Sequence, residues 1–96
     1  MSEPVLRRRY RLLGAVQGVG LRWRLRHAAE TLGLAGWVRN EPDGSVTLEL
    51  QGTEAGIDRA LQTLEQSRWI RIERLEQSSV PPAPEERRFS VLDDRW

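Results

Sequence analysis

The sequence contains no cysteine and no lysine, and its 96 residues include a single histidine. Without cysteine there can be no disulfide, thiolate metal ligand or thiol nucleophile, so the chain tolerates reducing or oxidising surroundings, and we expect the cytoplasm by default. Without lysine, mechanisms that use a lysine amine, including Schiff bases and the P-loop lysine, are excluded. Any chemistry must therefore rest on other residue types.

Long apolar runs are also missing. No segment approaches the roughly 18 apolar residues that a membrane-spanning helix needs, and residues 1–11 are too rich in arginine to contain a signal-peptide core. We therefore expect a soluble, unprocessed protein that does not bind membranes. The length suffices for one hydrophobic core but not for two, so we expect a single domain over residues 1–96, with monomer as the default state.

The two signs of charge are nearly balanced. Fifteen basic and 14 acidic residues leave a formal net charge of +1, too little to recruit nucleic acid through a global field. All 15 basic residues are arginine, which suits bidentate capture of phosphate or carboxylate. A GC-rich genome or selection for heat tolerance is the preferred explanation for most of this usage. Because the net charge is so small, any anion site must be local.

Apolar periodicity predicts two helices. From Leu21, apolar residues recur at offsets of four, seven, eight and eleven and line one face of a helix that stops at Gly33. A second stripe begins at Ile57 and reaches Leu64, and Thr53 is placed to cap that helix. We expect helices near residues 21–32 and 54–66.

Strands are predicted before, between and after these helices. They are expected at Leu6–Leu13, Gly36–Asn40, Ser45–Gln51, Ile70–Gln77 and Arg88–Leu92, with a turn at 42–44 and a stiff connector at Val80–Glu86 that contains three prolines. The order strand, helix, strand, strand, helix, strand is typical of the α+β ferredoxin-like split βαβ sandwich (βαββαβ). In that fold two helices cover one face of an antiparallel sheet.

A glycine-rich loop, Gly14-Ala-Val-Gln-Gly-Val-Gly-Leu-Arg22, joins the first strand to the first helix. Such loops turn backbone N–H groups inward, and the helix start adds partial positive charge, so the segment predicts a small-anion site or a merely structural tight turn. A dinucleotide fingerprint would need glycine where Trp23 stands, and a Walker loop from Gly14 would need glycine where Val19 stands. Both motifs are excluded.

Arg22 favours the anion site. A cation in the first turn of a helix is disfavoured by about 0.3 to 1 kcal/mol, and a bound anion would remove that penalty. The alternative is a solvated surface arginine beside Arg24 and Arg26.

The loop and a second segment together resemble a known family. Gly14 to Arg22, followed by Leu32-Gly-Leu-Ala-Gly-Trp-Val-Arg-Asn40 and then Asp43-Gly44, is similar to both halves of the acylphosphatase signature. The resemblance covers nearly the whole chain and implies hydrolysis of acyl phosphates without a cofactor or metal. It departs from the family at Leu21, where phenylalanine is usual, and at 67–70, where a glycine-proline turn is common.

The resemblance also implies the site residues. The catalytic arginine falls on Arg22 and the catalytic asparagine on Asn40, and the phosphate-cradling loop comprises Val16, Gln17, Gly18, Val19, Gly20, Leu21 and Arg22. An acyl phosphate has a good leaving group, so binding the phosphoryl oxygens and aiming a water in line would suffice for hydrolysis. Asn40 can orient that water without taking its proton. Inorganic phosphate is expected as product and competitive inhibitor.

Other residues and another function are weighed against the pair Arg22 and Asn40. His27 lies well along the first helix, and Glu41 and Asp43 belong to a turn where acidic residues are common, so none is favoured as a general base. The arginine-rich run 7–11 raises the alternative of a non-catalytic ferredoxin-like module that binds RNA or a protein partner. The aromatic pattern of an RNA-recognition motif is missing, so nucleic acid is not expected. Similar domains occur inside hydrogenase-maturation proteins, an option that the chain's length disfavours.

Overall fold

Five strands and two helices make up residues 3–92, the part of the chain that the computed structural model describes. In chain order they are β1 (Leu6–Ala15), α1 (Leu21–Leu32), β2 (Ala35–Asn40), β3 (Val46–Gly52), α2 (Glu54–Glu65), β4 (Arg71–Ser79) and β5 (Phe89–Val91). Every predicted element is present, and most boundaries move by no more than two residues. The single-domain prediction also includes residues 1, 2 and 93–96, which lie outside the described residues.

Both helices begin and end where their sequences indicate. Helix α1 stops at Gly33, whose φ of 70° is left-handed and whose N–H is donated to the carbonyls of Ala29 and Glu30. At the start of α2, the Thr53 hydroxyl accepts the backbone N–H of Gly56 at 3.1 Å. Each helix buries most of its predicted apolar stripe, with Leu32 and Leu61 only partly buried, so local signals are enough to predict both elements.

The sheet has the strand order β4-β1-β3-β2-β5. The pairs β1–β3, β1–β4 and β2–β3 are antiparallel, as predicted, but β5 pairs in parallel with β2. Residues 80–88 make this possible: nine extended residues reach about 30 Å, more than the roughly 19 Å between the outer strands of a five-stranded sheet. The connector crosses the sheet, and β5 adds a parallel edge to an antiparallel core.

The hydrophobic core lies between the sheet and both helices. Alternate residues of β1 and β3, including Tyr10, Leu12, Leu48 and Leu50, are fully buried against the helical layer. The two helices also pack against each other, so they cover the same face of the sheet. This arrangement confirms the predicted ferredoxin-like α+β sandwich. Within residues 3–92, no helix is long and apolar enough to cross a membrane.

A buried ion cluster attaches the connector to the opposite face of the sheet. Glu49 accepts hydrogen bonds from Arg7 Nε at 2.6 Å and Arg9 Nε at 2.7 Å, and Arg7 also donates to Glu86 of the connector at 3.1 Å. The Gln51 amide donates to the Ala83 carbonyl at 2.9 Å and accepts the Ala83 N–H at 2.7 Å. The connector thus takes up a defined path that leads into β5.

Glu49→Gln is expected to reduce the free energy of unfolding by about 3 kcal/mol at pH 7, because it removes the buried carboxylate that pairs with Arg7 and leaves only the more exposed Glu86 to pair with it. Burial raises the pKa of Glu49, but hydrogen bonds from Arg7 and Arg9 outweigh burial and hold it below the ordinary value of 4.5. The stabilisation is therefore complete above pH 4.5 and is lost as pH falls through the lower pKa of the folded state. Urea denaturation at pH 7 and below pH 4 measures both effects.

Glu76→Gln is the matched control on the same face. Glu76 is partly exposed and pairs with Arg11 at 3.4 Å, so its loss should cost less than about 1 kcal/mol. Equal losses of unfolding free energy in the two variants would show that burial of the Arg7–Glu49 pair does not increase its contribution to stability.

Candidate active site

The loop between β1 and α1 is shaped by two glycines in left-handed conformation. Gly18 has a φ of 72° and Gly20 a φ of 80°, values that a residue with a Cβ adopts only with strain. Gly20 is also the N-cap of α1, and it has no side chain to cap the first N–H groups of that helix. The first turn contains no acidic residue either, so the start of α1 keeps its partial positive charge for an anion.

Three contacts position this loop. Val16 and Leu21 are almost completely buried in the core at its two ends. Between them, the Gln17 side chain donates to the carbonyls of Glu41 at 2.7 Å and Ser45 at 2.9 Å. These bonds join the loop to the β2–β3 hairpin, directly after Asn40. The predicted role of Gln17 in phosphate binding rests on its backbone amide and stays a prediction, while its side chain links the two segments of the signature.

Asn40 is the last residue of β2, where it is paired with Val46 and is 6% exposed. The turn that follows is held by Asp43, whose carboxylate accepts the Ser45 N–H at 2.9 Å and the Ser45 hydroxyl at 2.6 Å. These two bonds, with Arg11 at 2.5 Å, lower the pKa of Asp43 to about 2. Side-chain hydrogen bonds thus hold the turn that begins directly after Asn40.

An open cavity of about 320 Å³ lies where the loop, the start of α1 and the end of β2 meet. Its walls are formed by Val16, Gly18, Gly20, Leu21, Arg22, Trp23, Arg26, Asn40 and Val91. The structure thus brings Arg22 and Asn40, which are 18 positions apart in the sequence, into one cavity. Of the seven predicted loop residues, Gln17 and Val19 lie outside its walls.

Trp23, Arg26 and Val91 line the cavity but were not singled out from the sequence. Arg26 lies one helical turn after Arg22, so helical spacing alone could have indicated that the two share a face. Val91 belongs to β5 and reaches the site only because β5 pairs with β2. No local pattern could have signalled its position.

The acidic and imidazole groups near the site face elsewhere. Glu41 pairs with Arg39 at 3.1 Å, Asp43 pairs with Arg11, and the exposed His27 ring stacks on Trp23 with 5.7 Å between ring centroids. No aspartate, glutamate or histidine within residues 3–92 lines the cavity. The arrangement offers a cation, backbone amides and a carboxamide, which are groups that bind and orient an oxyanion and a water.

Within residues 3–92 there is also no group of three or more His, Cys, Asp or Glu residues that could hold a metal ion.

The fold and the cavity define a class of domain: a ferredoxin-like α+β sandwich with a glycine-rich loop and an arginine at the start of its first helix. The chain belongs to the acylphosphatase family, whose model, described as Acylphosphatase, matches residues 8–91. It is 38% identical over 92 residues to the acylphosphatase of Koribacter versatilis, covering 95% of this chain and 84% of the relative.

Two solved structures share the fold over nearly their whole length. The crystal structure of acylphosphatase from Bacillus subtilis superposes with a TM-score of 0.82 at 28% identity, covering 92% of this chain and 99% of that one. The structure of an acylphosphatase from Coxiella burnetii gives a TM-score of 0.81 at 26% identity, covering 92% of this chain and 93% of that one. The family resemblance noted in the sequence is therefore confirmed.

Proposed function

We propose that this chain hydrolyses acyl phosphates to a carboxylate and inorganic phosphate. The observation that carries the proposal is the single cavity shared by Arg22, Asn40 and the glycine-rich loop at the start of α1. Membership of the acylphosphatase family supports the same reaction.

In the proposed reaction, Arg22 and the backbone N–H groups of residues 16–22 bind the phosphoryl oxygens. Each charged hydrogen bond contributes about 1.5 to 3 kcal/mol, and the positive end of α1 adds to the field that stabilises the transferring group. The Asn40 carboxamide orients a water in line with the leaving carboxylate oxygen. The P–O bond to the acyl group breaks as the water oxygen bonds to phosphorus, and the water's proton passes to a phosphoryl oxygen.

This role assignment needs no general base, which agrees with the position of the nearby carboxylates. Glu41 and Asp43 each pair with an arginine outside the cavity. Because a carboxylate leaves readily, positioning and electrostatic stabilisation are sufficient for turnover.

The binding-module alternative has less support. The four arginines of β1 that suggested RNA binding are paired with at least four carboxylates: Arg7 with Glu49 and Glu86, Arg9 with Glu49, Arg8 with Glu54, and Arg11 with Asp43. Neutralised in this way, they form no strongly basic surface. The proposal therefore includes no nucleic-acid partner. It also involves no cofactor. Residues 1–96 are proposed to form one domain that acts as a monomer in the cytoplasm.

Turnover of benzoyl phosphate, compared with phenyl phosphate as an ordinary phosphate monoester, tests the proposal. We expect hydrolysis of the acyl phosphate and a rate at least about a hundredfold lower for the monoester, because phenolate is a poorer leaving group than benzoate and Asn40 supplies no acid to protonate it. Inorganic phosphate should raise the apparent KM without changing kcat. A folded protein that leaves benzoyl phosphate intact, or that is inhibited by phosphate only noncompetitively, would contradict the proposal.

A further inference from the structure

A second groove lies beside the catalytic cavity, between α1 and β5. We call it the α1–β5 groove; it has a volume of about 640 Å³, and Arg26, Glu30, Arg87, Arg88 and Val91 are among its lining residues. Arg26 and Val91 also line the catalytic cavity, so the two spaces adjoin at these residues. The acyl group of a substrate bound at Arg22 would reach this groove by passing Arg26 and Val91.

The α1–β5 groove carries net positive charge. Three arginines face one carboxylate, that of Glu30, which pairs with Arg26 at 3.3 Å where both side chains are 57% exposed. Such an exposed pair is weak and easily exchanged for another anion. Arg87 and Arg88 are exposed, and no ion pair within residues 3–92 involves either of them. The groove thus offers guanidinium groups to an anion.

The spacing of the arginines suits a substrate with two charged ends. Arg26 follows Arg22 by one helical turn, which separates their backbones by about 6 Å along the helix. Both arginines line the catalytic cavity, and Arg26 also lines the groove, so the pair can bind anions at the two ends of a short acyl chain or an aromatic ring. Val91, between the cavity and the groove, offers apolar contact to the middle of such a molecule.

We propose that the α1–β5 groove is the acyl-group subsite, and that Arg26 and Arg88 bind a second anionic group, carboxylate or phosphate, on the acyl part of the substrate. This inference rests on the proposed function and deepens it. It predicts that the preferred substrates are acyl phosphates whose acyl group is itself negatively charged. Uncharged acyl phosphates of the same size should have a lower kcat/KM.

The test compares 4-carboxybenzoyl phosphate with 4-carbamoylbenzoyl phosphate, which have nearly the same shape but differ by one charge. The ratio of their kcat/KM values is measured in the parent protein, in Arg26→Gln and in Arg88→Gln. Because the intrinsic reactivity of each substrate is the same for all variants, a change in the ratio reports on the protein alone. We expect each substitution to reduce the preference for the charged substrate by about tenfold, the effect of one charge-assisted hydrogen bond.

Arg59→Gln is the matched control. Arg59 is an exposed residue of α2 that lines neither the cavity nor the groove, and its replacement removes the same unit of charge from the protein. The ratio should stay at the parental value in this variant. Circular dichroism and thermal melting establish that all three variants are folded.

The outcomes separate the two proposals. If the parent protein hydrolyses both substrates and the ratio is unaffected by Arg26→Gln and Arg88→Gln, or changes as much in Arg59→Gln, the subsite is wrong and the proposed function stands. If the folded parent hydrolyses neither substrate, the proposed function fails and the subsite fails with it. A ratio that falls only in the two groove variants establishes the subsite.

Discussion

Asn40→Ala is expected to lower kcat for benzoyl phosphate about a hundredfold while leaving the inhibition constant of inorganic phosphate nearly unchanged. The carboxamide acts on the attacking water and not on the phosphoryl group, so its loss should raise the barrier by about 3 kcal/mol without weakening ground-state binding. Steady-state kinetics with phosphate as competitive inhibitor measure both quantities.

Folding of this variant must be established first, because Asn40 is buried at the end of β2. Glu41→Gln is the control: it changes the neighbouring residue, whose carboxylate pairs with Arg39 outside the cavity, and should retain parental turnover. A folded Asn40→Ala protein with the parental kcat would show that Asn40 does not position the water. A large loss in Glu41→Gln would instead assign the activation of water to that carboxylate.

Arg22→Ala is expected to impair binding and turnover together. Its guanidinium would contact phosphoryl oxygens in both the ground and the transition state, so kcat/KM should fall about a thousandfold and the inhibition constant of phosphate should rise at least about tenfold. Arg22→Lys should recover little of this loss, because an ammonium group cannot reproduce bidentate geometry. Titration with inorganic phosphate separates binding from catalysis.

Arg24→Ala serves as the matched control for Arg22→Ala. Arg24 lies in the same turn of α1 and carries the same charge, but its guanidinium donates to the Thr63 carbonyl of α2 at 3.2 Å and does not line the cavity. Phosphate affinity should remain at the parental level in this variant. Similar losses in both variants would mean that general positive charge, rather than a specific contact from Arg22, supports activity.

Much of the fold could be predicted because the relevant signals are local. The apolar spacing from Leu21 and the stop at Gly33 define α1, and the cap at Thr53 defines the start of α2. Each of these features depends on neighbours within one or two helical turns, so it can be predicted without knowing how the rest of the chain packs. The glycine-rich loop is of the same kind, since the left-handed conformations at Gly18 and Gly20 need that residue type.

The candidate site was predictable only in part. Arg22 and Asn40 were found through the resemblance of two separate segments to one family, and the structure places both side chains at one cavity. The side-chain bonds from Gln17 to the hairpin were not predictable, because nothing in the loop sequence says that its side chain turns away from the cavity.

By itself, the sequence determined the two helices, the order of helices and strands along the chain, and the glycine-rich loop. It also excluded chemistry that needs cysteine or lysine. Only the tertiary structure decided that β5 pairs in parallel with β2, that Val91 thereby reaches the cavity, and that Arg7 is buried against Glu49 beneath the connector. Periodicity and turn chemistry act between near neighbours in the chain. Strand pairing across a sheet and the burial of an ion pair depend instead on which distant segments pack together, and the packing of the whole domain sets those contacts.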